Sequence, residues 1–391
     1  MKVGIFTDTY FPQISGVATS IKTLKKELER QGHEVIIFTT TDPKVQEKEE
    51  GIVRLTSIPF FSFQDRRIAI KGVYRALKIA KELQLDIIHT QTEFSLGLTG
   101  KYIAYQLKIP CVHTYHTMYE DYLHYIANGK VLRPTHVKLV SKMYCNKSSG
   151  IIAPSEKARK QLLNYGVVSR ISVIPTGVDL EHFLKENKRD VRKELSFSKD
   201  TLLLLSLSRV AKEKSIDLLI KAMPEILLHQ PAAKLVIVGD GPARNELEEL
   251  AHSLALAGTV FFIGEVASSE VQAYYQAADL FVSSSNSESQ GLTYIEAIAS
   301  GTDIVARLNE YTETLTQNGA FGMTFSDDSQ IAETVCSYFN QNKKIQRIKK
   351  ERTNLLNSIS SELFGEKVLQ FYRETIQQYM HEKEVAVHSN H

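Results

Sequence analysis

Strand-like and helix-like segments alternate along most of the chain, and this alternation limits the fold more than any other feature of the sequence. A short β-rich run, Lys2 to Thr7, is followed by apolar residues at helical spacing over 16–31 and by a helix-stopping Gly32. Further strand-like runs of this first series lie at 33–39, 52–56, 86–90, 110–114, 151–154 and 171–175. Because strands joined through helices pair in parallel, this order predicts a doubly wound α/β domain.

A second series of the same kind begins at Leu202. Its predicted strands are 202–208, 235–238, 260–263, 280–283 and 303–306, with helices from Ser215, from Ala243 and over 292–299. The segment from Pro175 to Asp179 interrupts the pattern, so we place the domain boundary there. The sequence thus predicts two Rossmann-like domains, residues 1–178 and 179–360, a terminal helix over about 361–382 and a tail over 383–391.

The position of a binding site follows from this architecture. Ligands of open α/β sheets bind at the carboxyl ends of the strands. Two such domains in one chain can set two of these edges opposite each other. We therefore expect the site in a cleft between the two domains.

Composition and charge narrow the class of protein. The 391 residues contain no apolar run near the roughly 18 residues of a membrane-spanning helix, and the start is too short an apolar stretch for a signal peptide. Three widely separated cysteines give neither a disulfide framework nor zinc spacing, which indicates a reducing compartment, the cytoplasm by default. Residues 1–180 carry 25 Lys and Arg against 16 Asp and Glu, whereas the remainder carries 22 against 29. The basic first half is therefore expected to meet an anionic surface.

Two acidic residues lie eight positions apart in a segment that reads strand, loop, helix, strand. Glu288 lies in the loop and Glu296 on the helix. The helix start offers backbone N–H groups to an anion, at Gln290, Gly291 and Leu292. The simpler interpretation is a helix-start acid and a solvated helix acid, and this segment alone supports both interpretations about equally.

Two cations follow the first strand of the second domain. Arg209 and Lys214 precede the predicted N-cap Ser215 and are placed to hold a diphosphate and to neutralise it as it leaves. A surface ion pair with Glu213 is the simpler interpretation. The segment from Gly239 to Pro242, which ends the next strand, favours a tight turn over direct ligand contact.

The motifs of metal and dinucleotide sites are absent from the sequence. No Asp-x-Asp sequence and no His/Cys cluster with ligand spacing occurs, so we expect protein cations to meet the charge of a leaving group. The loop after the first strand, Tyr10 to Gly16, lacks a Gly-x-Gly-x-x-Gly sequence. This difference disfavours a nicotinamide-dependent dehydrogenase.

Taken together, these motifs resemble the GT-B glycosyltransferases of the large retaining family that includes sucrose synthase, glycogen synthase and bacterial lipid and mannosyl transferases. The resemblance covers nearly the whole chain. It rests on the Glu-x7-Glu pair, the Arg-x4-Lys pair, the Gly-Asp-Gly-Pro turn, the Gly-containing loop after the first strand and the Pro-Thr-Gly-Val-Asp segment. It implies two domains that face a cleft, and a C-terminal helix that crosses back to the first domain.

The resemblance also implies roles for the paired acids and cations. Glu288 would contact the donor sugar, and Glu296 would contact the ribose. Arg209 and Lys214 would hold the diphosphate. Of these four residues, Glu288, Arg209 and Lys214 would take part in catalysis.

Further positions carry over from the same family. His116 matches the histidine near the reacting sugar and would be a further catalytic residue, although a histidine after a strand is by itself more often structural. Gly16 would let the backbone approach the diphosphate. Gly241 and the start of the later helix, at Gln290, Gly291 and Leu292, would complete the donor site.

A closer resemblance exists within this family. Gln290 stands before Gly291 where most members have an aromatic residue. The Glu-Ser-Gln-Gly-Leu-Thr-Tyr-Ile-Glu form, Ser15-Gly16-Val17 and the segment 113–122 resemble bacterial diacylglycerol glucosyltransferases that make monoglucosyldiacylglycerol. This closer resemblance implies UDP-glucose as the donor substrate and diacylglycerol as the acceptor. No cofactor would be required, and a divalent cation would be at most a nonessential stimulant.

Two basic stretches in the first domain fit a lipid acceptor. Residues 122–150 contain five basic residues and no acid, with helical spacing from Pro134 that sets Lys138 and Lys142 on one flank. Residues 60–81 combine three phenylalanines with six basic residues, among them Arg66, Arg67 and Lys71. These five basic side chains are predicted to bind anionic membrane lipids. The simpler interpretation is an ordinary helix that buries the same apolar stripe, Val137, Val140 and Tyr144, against its sheet; no nucleic-acid module accompanies the charges.

The sequence therefore predicts a peripheral enzyme on the inner face of the cell membrane that moves glucose from UDP-glucose to 1,2-diacylglycerol with retention. Retention can proceed by same-face substitution or through a covalent intermediate, and the resemblance favours the former. The alternatives are another acceptor (a glycolipid receiving a second sugar, phosphatidylinositol or a soluble molecule), a UDP-sugar epimerase of the same architecture, and a nonenzymatic binder of anionic lipid or nucleic acid. The sequence does not predict an oligomeric state.

Overall fold

The chain forms two compact units in a computed structural model. The structure describes residues 1–13, 15–45, 49–60, 63–116, 134–286, 288, 290–316, 321–341 and 349–388. Unit 1 comprises Met1–Gly177 and the helix that begins at Ser361, and unit 2 comprises Val178–Ser360. The units therefore divide one residue before the boundary placed from the sequence.

Unit 1 is built on a parallel sheet of seven strands within the described ranges. The strands of unit 1 are β1 (Lys2–Phe6), β2 (Glu34–Thr40), β3 (Ile52–Leu55), β4 (Ser57–Phe60), β5 (Phe63–Ala69), β6 (Ile87–Thr90), β7 (Cys111–Thr114), β8 (Gly150–Ala153) and β9 (Ile171–Val173). β4 and β5 form a separate antiparallel hairpin, and the other strands have the order β3-β2-β1-β6-β7-β8-β9. The order reverses between β1 and β6, which is where sheets of this kind bind ligands.

Unit 2 contains a second parallel sheet, for which the described residues give six strands. They are β10 (Leu202–Leu207), β11 (Ala233–Val238), β12 (Val260–Gly264), β13 (Leu280–Ser283), β14 (Ile304–Arg307) and β15 (Gly322–Phe325), in the order β12-β11-β10-β13-β14-β15. The central strand β10 is almost entirely leucine because apolar clusters pack on both of its faces: Leu204 joins one and Leu205 the other. The order reverses between β10 and β13.

Helices connect the strands in both units. They are α1 (Gly16–Arg30), α2 (Val73–Leu83), α3 (Ser95–Leu107), α4 (Pro134–Cys145), α5 (Glu156–Asn164), α6 (Leu180–Leu184), α7 (Val191–Glu194), α8 (Ile216–His229), α9 (Arg244–Ser253), α10 (Val271–Ala277), α11 (Leu292–Ala299), α12 (Glu310–Thr316), α13 (Ile331–Gln341), α14 (Lys349–Ser358) and α15 (Ser361–His388). The predicted fold class, two doubly wound parallel α/β units, is confirmed.

The helices of unit 1 cover opposite faces of its sheet. Ile5 of β1 lies in the apolar cluster that contains Leu24 of α1 and residues of α15, whereas the next residue, Phe6, lies in the cluster of α2 and α3. In β8, Ile152 belongs to the first cluster, and Ile151 packs with α4 and α5. The outer sides of α2, α3 and α4 therefore belong to the same side of unit 1.

Several elements differ from the sequence predictions, among them strand β15, which was not predicted. Helix α15 continues to His388, so most of the predicted tail is helical, because 383–388 contains neither Gly nor Pro. Ser215 is the N-cap of α8, but its backbone is left-handed, with φ of 52°, and its side chain makes no capping hydrogen bond. The β4–β5 hairpin was not predicted, because Pro59 and a run of charges obscure the alternation of a strand.

Candidate active site

Lys214 and Glu288 meet in unit 2. Lys214 follows β10 and Glu288 follows β13, and these strands are neighbours at the centre of the sheet. The Nζ of Lys214 donates to Oε1 of Glu288 at 2.6 Å, and the side chains are only 15% and 17% exposed. The carboxyl ends of parallel strands share one edge, so this contact places a cation and a carboxylate where such sheets bind ligands.

Hydrogen bonds restrain the loops that carry this pair. The Lys212–Lys214 turn ends at Ser215, whose carbonyl accepts from the hydroxyl of Ser284 at 2.6 Å. The carbonyl of Ser284 in turn accepts from Nε of Arg307 at 3.3 Å. The loops after β10, β13 and β14 are thus joined side by side, which restricts the positions open to Lys214 and Glu288.

The Gly-Asp-Gly-Pro turn supports the loop that carries Arg209, a partly buried residue two positions after β10. Gly239 has φ of 128°, and a Cβ there would lie 1.9 Å from the carbonyl oxygen of Ser208. A Cβ at Gly241 would lie 2.4 Å from the carbonyl oxygen of Val210. The simpler interpretation of the turn therefore fits, and a ligand contact by Gly241 stays a prediction.

Helix α11 begins where the sequence predicts an anion site. Gly291 is its N-cap with φ of 71°, and a Cβ there would lie 2.5 Å from the ring of Tyr294, so the position requires glycine. Gln290 is buried beside it. The first N–H groups of an α-helix generally lack an acceptor in the preceding turn. In α11 the N–H of Tyr294 already donates to the carbonyl of Gly291 at 3.1 Å, so the groups considered for an anion are those of Leu292 and Thr293. An anion at this helix start stays a prediction, and the backbone conformation fits it.

Glu296 lies on α11 and is mostly buried. Its Oε2 accepts a hydrogen bond from the hydroxyl of Tyr275 at 2.9 Å, and Tyr275 is fully buried. Burial raises the pKa of Glu296 to about 7, although the bond from Tyr275 acts in the opposite direction. The interpretation of Glu296 as a solvated acid is therefore wrong, and a role in ligand binding fits the burial better.

The raised pKa of Glu296 predicts how stability depends on pH. The ordinary pKa of 4.5 in the unfolded chain rises to about 7 on folding, so the wild-type protein loses stability as the pH rises through this interval. Glu296→Gln removes the loss, and the variant is expected to gain up to about 3 kcal/mol over wild type between pH 4.5 and 8. Urea unfolding followed by circular dichroism at both pH values measures the gain. A difference that does not change with pH would contradict the buried carboxyl.

His116 lies after β7 in unit 1, at the carboxyl edge of the sheet. Its Nε2 lies 2.6 Å from Oε1 of Gln91, which follows the neighbouring strand β6. Burial, with a smaller contribution from His113, lowers the pKa of His116 to about 3. His116 is therefore neutral at physiological pH, which fits a hydrogen-bonding role near a sugar and not that of a proton donor.

Two further histidines lie buried beside His116, and sequence reasoning missed both. The Nε2 of His113 lies 3.2 Å from Oε1 of Glu93. The Nδ1 of His89 lies 2.6 Å from the hydroxyl of Tyr372 on α15, and burial lowers the pKa of His89 well below its usual value. The sequence could have identified both histidines, because His89 and His113 are polar residues near the ends of the predicted strands 86–90 and 110–114.

The segment that follows β1 contains a buried acid, Asp8, and the predicted diphosphate residue Gly16. Asp8 is buried and accepts hydrogen bonds from the hydroxyl of Thr92 at 2.7 Å and from the backbone N–H of Leu96 at 3.1 Å, so it caps the start of α3. Burial nevertheless raises its pKa. Gly16 is the exposed first residue of α1, whose N-cap is Ser15. An approach of the diphosphate to Gly16 stays a prediction.

The residues predicted to bind membrane lipids differ in accessibility. Arg67 is partly buried, and it donates to the hydroxyl of Ser57 at 2.9 Å and to the carbonyl of Ser57 at 2.8 Å. Arg67 therefore helps to hold the β4–β5 hairpin together, and its predicted contact with lipid stays a prediction. Three of the others are exposed: Lys71, Lys138 and Lys142. The side chain of Arg66 lies outside the described residues.

Helix α4 buries one side and exposes apolar residues on another. Val137 and Tyr144 are buried, as the predicted stripe requires. Val140, expected on the same stripe, is more than half exposed, as are Leu139 and Met143. The helix therefore does not bury its whole apolar surface against the sheet.

The described residues contain neither a metal-binding cluster nor a membrane-spanning helix. Within the part of the chain that the structure describes, no group of three or more His, Cys, Asp or Glu side chains could hold a metal ion. None of the described helices is both long and apolar enough to cross a bilayer. Cys111, Cys145 and Cys336 are buried free thiols.

Sequence reasoning missed two residues of unit 2 near the predicted donor site. Arg307 ends β14, contacts Ser284 and pairs with Asp328. Its place after a predicted strand is the signal that identified Arg209. Tyr275 lies on α10, outside every motif, and its contact with Glu296 depends on how α10 packs beside α11.

Two family descriptions match the chain, one for each half. Residues 14–182 match the family described as Glycosyltransferase Family 4. Residues 187–355 match the family described as Glycosyl transferases group 1. Together the matches span most of the chain.

Named relatives match over comparable lengths. The chain is 46% identical to the alpha-monoglucosyldiacylglycerol synthase of Streptococcus pneumoniae, over 99% of this chain and 88% of that protein. It is 32% identical to the protein of the same name from Acholeplasma laidlawii, over 88% of this chain and 89% of that protein. A D-inositol 3-phosphate glycosyltransferase of Xylanimonas cellulosilytica is 31% identical, over 74% of this chain and 75% of that protein.

Solved structures share the fold. Sucrose-phosphate synthase from Thermosynechococcus elongatus has a TM-score of 0.75 at 21% identity, covering 95% of this chain and 98% of that one. HepE from Anabaena, in complex with UDP-glucose, has a TM-score of 0.73 at 17% identity, covering 96% of this chain and 100% of that one. Likeness at these identities establishes the fold alone.

Proposed function

The chain belongs to the glycosyltransferases described as Glycosyltransferase Family 4 and Glycosyl transferases group 1, and on that premise we propose that it transfers glucose from UDP-glucose to 1,2-diacylglycerol. It is a hexosyltransferase with a GT-B fold. We further propose that transfer retains the anomeric configuration and takes place at the inner surface of the cell membrane. The observation that carries the proposal is the 46% identity to an alpha-monoglucosyldiacylglycerol synthase over 99% of the chain.

The residues of unit 2 support a nucleotide-sugar donor. Lys214 and the partly buried Arg209 supply positive charge for a diphosphate at the edge of the sheet. We assign Glu288, beside Lys214, to accept a hydrogen bond from a hydroxyl of the sugar. We assign the mostly buried Glu296 to accept hydrogen bonds from the ribose hydroxyls. A preorganised set of this kind binds a ligand that is anionic at its centre and rich in hydroxyls at both ends.

The proposed reaction uses these groups as follows. The bond between C1 of glucose and the oxygen of the β-phosphate breaks, and the free hydroxyl oxygen of diacylglycerol bonds to C1 from the same face. The hydroxyl proton passes to the departing diphosphate. Because negative charge grows on that diphosphate as the bond breaks, fixed cations at Arg209 and Lys214 lower the barrier. The proposal assigns no proton transfer to His116, because burial lowers its pKa to about 3 and makes its neutral ring a weak base.

Helices α3 and α4 support docking on a lipid surface. Exposed apolar residues follow the length of α3 at helical spacing, namely Phe94, Leu98, Tyr102 and Tyr105. On α4, Leu139, Val140 and Met143 accompany the exposed Lys138 and Lys142. The two helices are neighbours, because Nζ of Lys101 on α3 lies 3.8 Å from the ring centroid of Tyr144 on α4. An apolar surface with a basic border fits an anionic bilayer. The acidic surface of another protein would fit it less well, because such a surface offers no apolar interior for the exposed apolar residues.

Binding to vesicles is expected to require anionic lipid and to weaken as salt screens the charges. Replacing the three exposed lysines together, Lys71→Gln, Lys138→Gln and Lys142→Gln, should lower binding by at least about tenfold, at about 1 kcal/mol for each basic residue. Binding of UDP should not change, because none of the three lysines is among the predicted nucleotide-binding residues. Flotation with neutral and anionic vesicles at low and high salt measures the effect.

A matched variant controls for net charge. Lys188, Lys193 and Lys199 are exposed lysines of unit 2, and replacing them with glutamine removes the same charge. This variant should float like wild type. Equal flotation of all three proteins, or flotation indifferent to anionic lipid, would refute electrostatic docking by unit 1.

A substrate panel tests the proposed function against its alternatives. UDP-glucose, UDP-galactose and UDP-N-acetylglucosamine are each offered with diacylglycerol, monoglucosyldiacylglycerol, phosphatidylinositol and inositol 3-phosphate. The last acceptor is included because of the 31% identical D-inositol 3-phosphate glycosyltransferase. We expect a lipid product from UDP-glucose and diacylglycerol. Faster transfer to another acceptor would contradict diacylglycerol as the acceptor. Conversion of a UDP-sugar without an acceptor would favour the epimerase instead.

A further inference from the structure

Gln91 lies buried between two histidines of unit 1. Its Oε1 is 2.6 Å from Nε2 of His116, while its Nε2 is 3.2 Å from Nδ1 and 3.1 Å from Nε2 of His89. An amide nitrogen at nearly equal distance from both ring nitrogens lies over the face of the ring. That face attracts an N–H group and repels a carbonyl oxygen. The amide of Gln91 therefore turns its oxygen toward His116.

This orientation determines which nitrogen of His116 carries the proton. A carbonyl oxygen only accepts hydrogen bonds, so Nε2 of His116 must be the donor. A neutral imidazole has one ring proton, so Nδ1 is left as a hydrogen-bond acceptor. Because burial lowers the pKa of His116 to about 3, this neutral form persists across the working pH range.

The groups around His116 maintain the neutral state. His89 on β6 is buried and held by the hydroxyl of Tyr372 from α15. His113 on β7 pairs with Glu93, so the nearby carboxylate is engaged with a different ring. Tyr144 of α4 packs its ring against His113 at 4.8 Å between centroids. Among the described residues, His116 has a hydrogen-bond contact with the uncharged side chain of Gln91.

We propose that Gln91 is a positioning residue for sugar transfer: it holds His116 as the Nε2–H tautomer, so that Nδ1 accepts a hydrogen bond from a hydroxyl of the donor sugar. The sugar contact rests on the proposed function, whereas the tautomer does not. A glutamate at position 91 would accept the same bond but would favour the imidazolium, which has no acceptor nitrogen. A leucine would accept no bond and would leave both tautomers open.

Nitrogen-15 NMR of the full chain, labelled at histidine, tests the tautomer directly. The His116 signals are assigned by their loss in His116→Gln. Wild type is expected to show a protonated Nε2 and a bare Nδ1 from about pH 5 to 8, without titration. In Gln91→Glu the His116 ring should titrate within this range, because the new carboxylate stabilises the imidazolium. In Gln91→Leu the signals should report a mixture of tautomers.

Kinetics tests what the tautomer does. Gln91→Leu is expected to lower kcat/KM for UDP-glucose by about tenfold, which is the effect of one hydrogen bond. Gln91→Glu should lose activity at low pH and regain it as the pH rises through the new pKa of His116, a profile that wild type lacks. Tyr372→Phe is the control, because it removes a buried hydrogen bond on the far side of His89 and leaves the Gln91 contact in place. It should keep the wild-type tautomer and pH profile.

The possible results test the tautomer of His116 separately from the proposed glucosyl transfer. Protonation of Nδ1 in wild type, or an equal loss in Tyr372→Phe and Gln91→Leu, would overturn the positioning role. The expected tautomers with unchanged kcat/KM in both Gln91 variants would overturn the sugar contact while glucosyl transfer stands. A wild-type chain without transferase activity would refute the proposed function and the sugar contact, and the NMR spectra would still decide the tautomer.

Discussion

Lys214→Ala is expected to lower the turnover of glucosyl transfer by a factor of about 10² to 10³, the effect of removing one preorganised stabiliser of developing charge. The ammonium is held in advance, because Glu288 binds it at 2.6 Å and the adjoining Ser215 carbonyl is fixed by Ser284. The groups therefore need little rearrangement when the diphosphate departs. Single-turnover rates with UDP-glucose and diacylglycerol in mixed vesicles measure the loss.

Lys212 provides a matched control for this change. It lies two residues away in the same turn, its side chain is largely exposed, and its partner Glu246 lies 3.5 Å away. Lys212→Ala should therefore keep wild-type turnover, while Arg209→Ala should lose activity on the scale of Lys214→Ala. A chelator such as EDTA should leave most of the activity, since the proposal assigns the neutralising charge to protein cations. Similar rates for Lys212→Ala and Lys214→Ala, or complete loss with EDTA, would contradict the assignment.

Glu288→Gln is expected to lower kcat by about 10²-fold with a smaller change in KM for UDP-glucose. The substitution keeps the size of the side chain but removes the charge that holds Lys214. It also weakens the hydrogen bond that we propose Glu288 accepts from a hydroxyl of the donor sugar. Glu296→Ala should instead raise KM, because the ribose is remote from the bond that breaks. Full steady-state kinetics of the two variants separates these effects.

A double-mutant cycle tests whether Glu288 and Lys214 act as one unit. Residues in direct contact couple, so the loss in Glu288→Gln with Lys214→Met should be well short of the two single losses combined. Glu296→Ala with Lys214→Met serves as the comparison, because no contact joins Glu296 to Lys214 among the interactions described. Independent effects of Glu288 and Lys214 would show that their contact does not serve the reaction. Unchanged UDP affinity in Glu296→Ala would refute the ribose contact.

The fold could be predicted from the sequence because its signal is local and repeated. A short apolar run such as Leu202–Leu207, within an alternation of strands and helices, indicates a central parallel strand that is buried on both faces. Helix α11 has the bounds 292–299 that its Gly291 and Gly301 indicate. Residues that follow predicted central strands, such as Arg209, could be identified from the same local pattern. Prediction failed for elements that have no clear local sequence pattern, as in the β4–β5 hairpin and the end of α15.

Contacts between elements could not be predicted in the same way. The sequence indicates that Lys214 and Glu288 each follow a strand, but their pairing depends on β10 and β13 being neighbours, which is a property of the sheet order. The hydroxyl of Tyr275 reaches Glu296 from another helix, and Gln91 reaches His116 from another strand. Arg67 was assigned to a lipid surface because its charge is visible in the sequence, whereas its hydrogen bonds to Ser57 are not.

The configuration of the product tests the central claim most directly. The full chain is incubated with UDP-[1-¹³C]glucose and anionic vesicles that contain diacylglycerol, and the labelled anomeric carbon of the extracted lipid is examined by NMR. We predict a single monoglucosyldiacylglycerol whose labelled carbon has the α configuration of the donor. A β-linked product would contradict retention, and labelled glucose that is absent from the diacylglycerol fraction would contradict the proposed transfer itself.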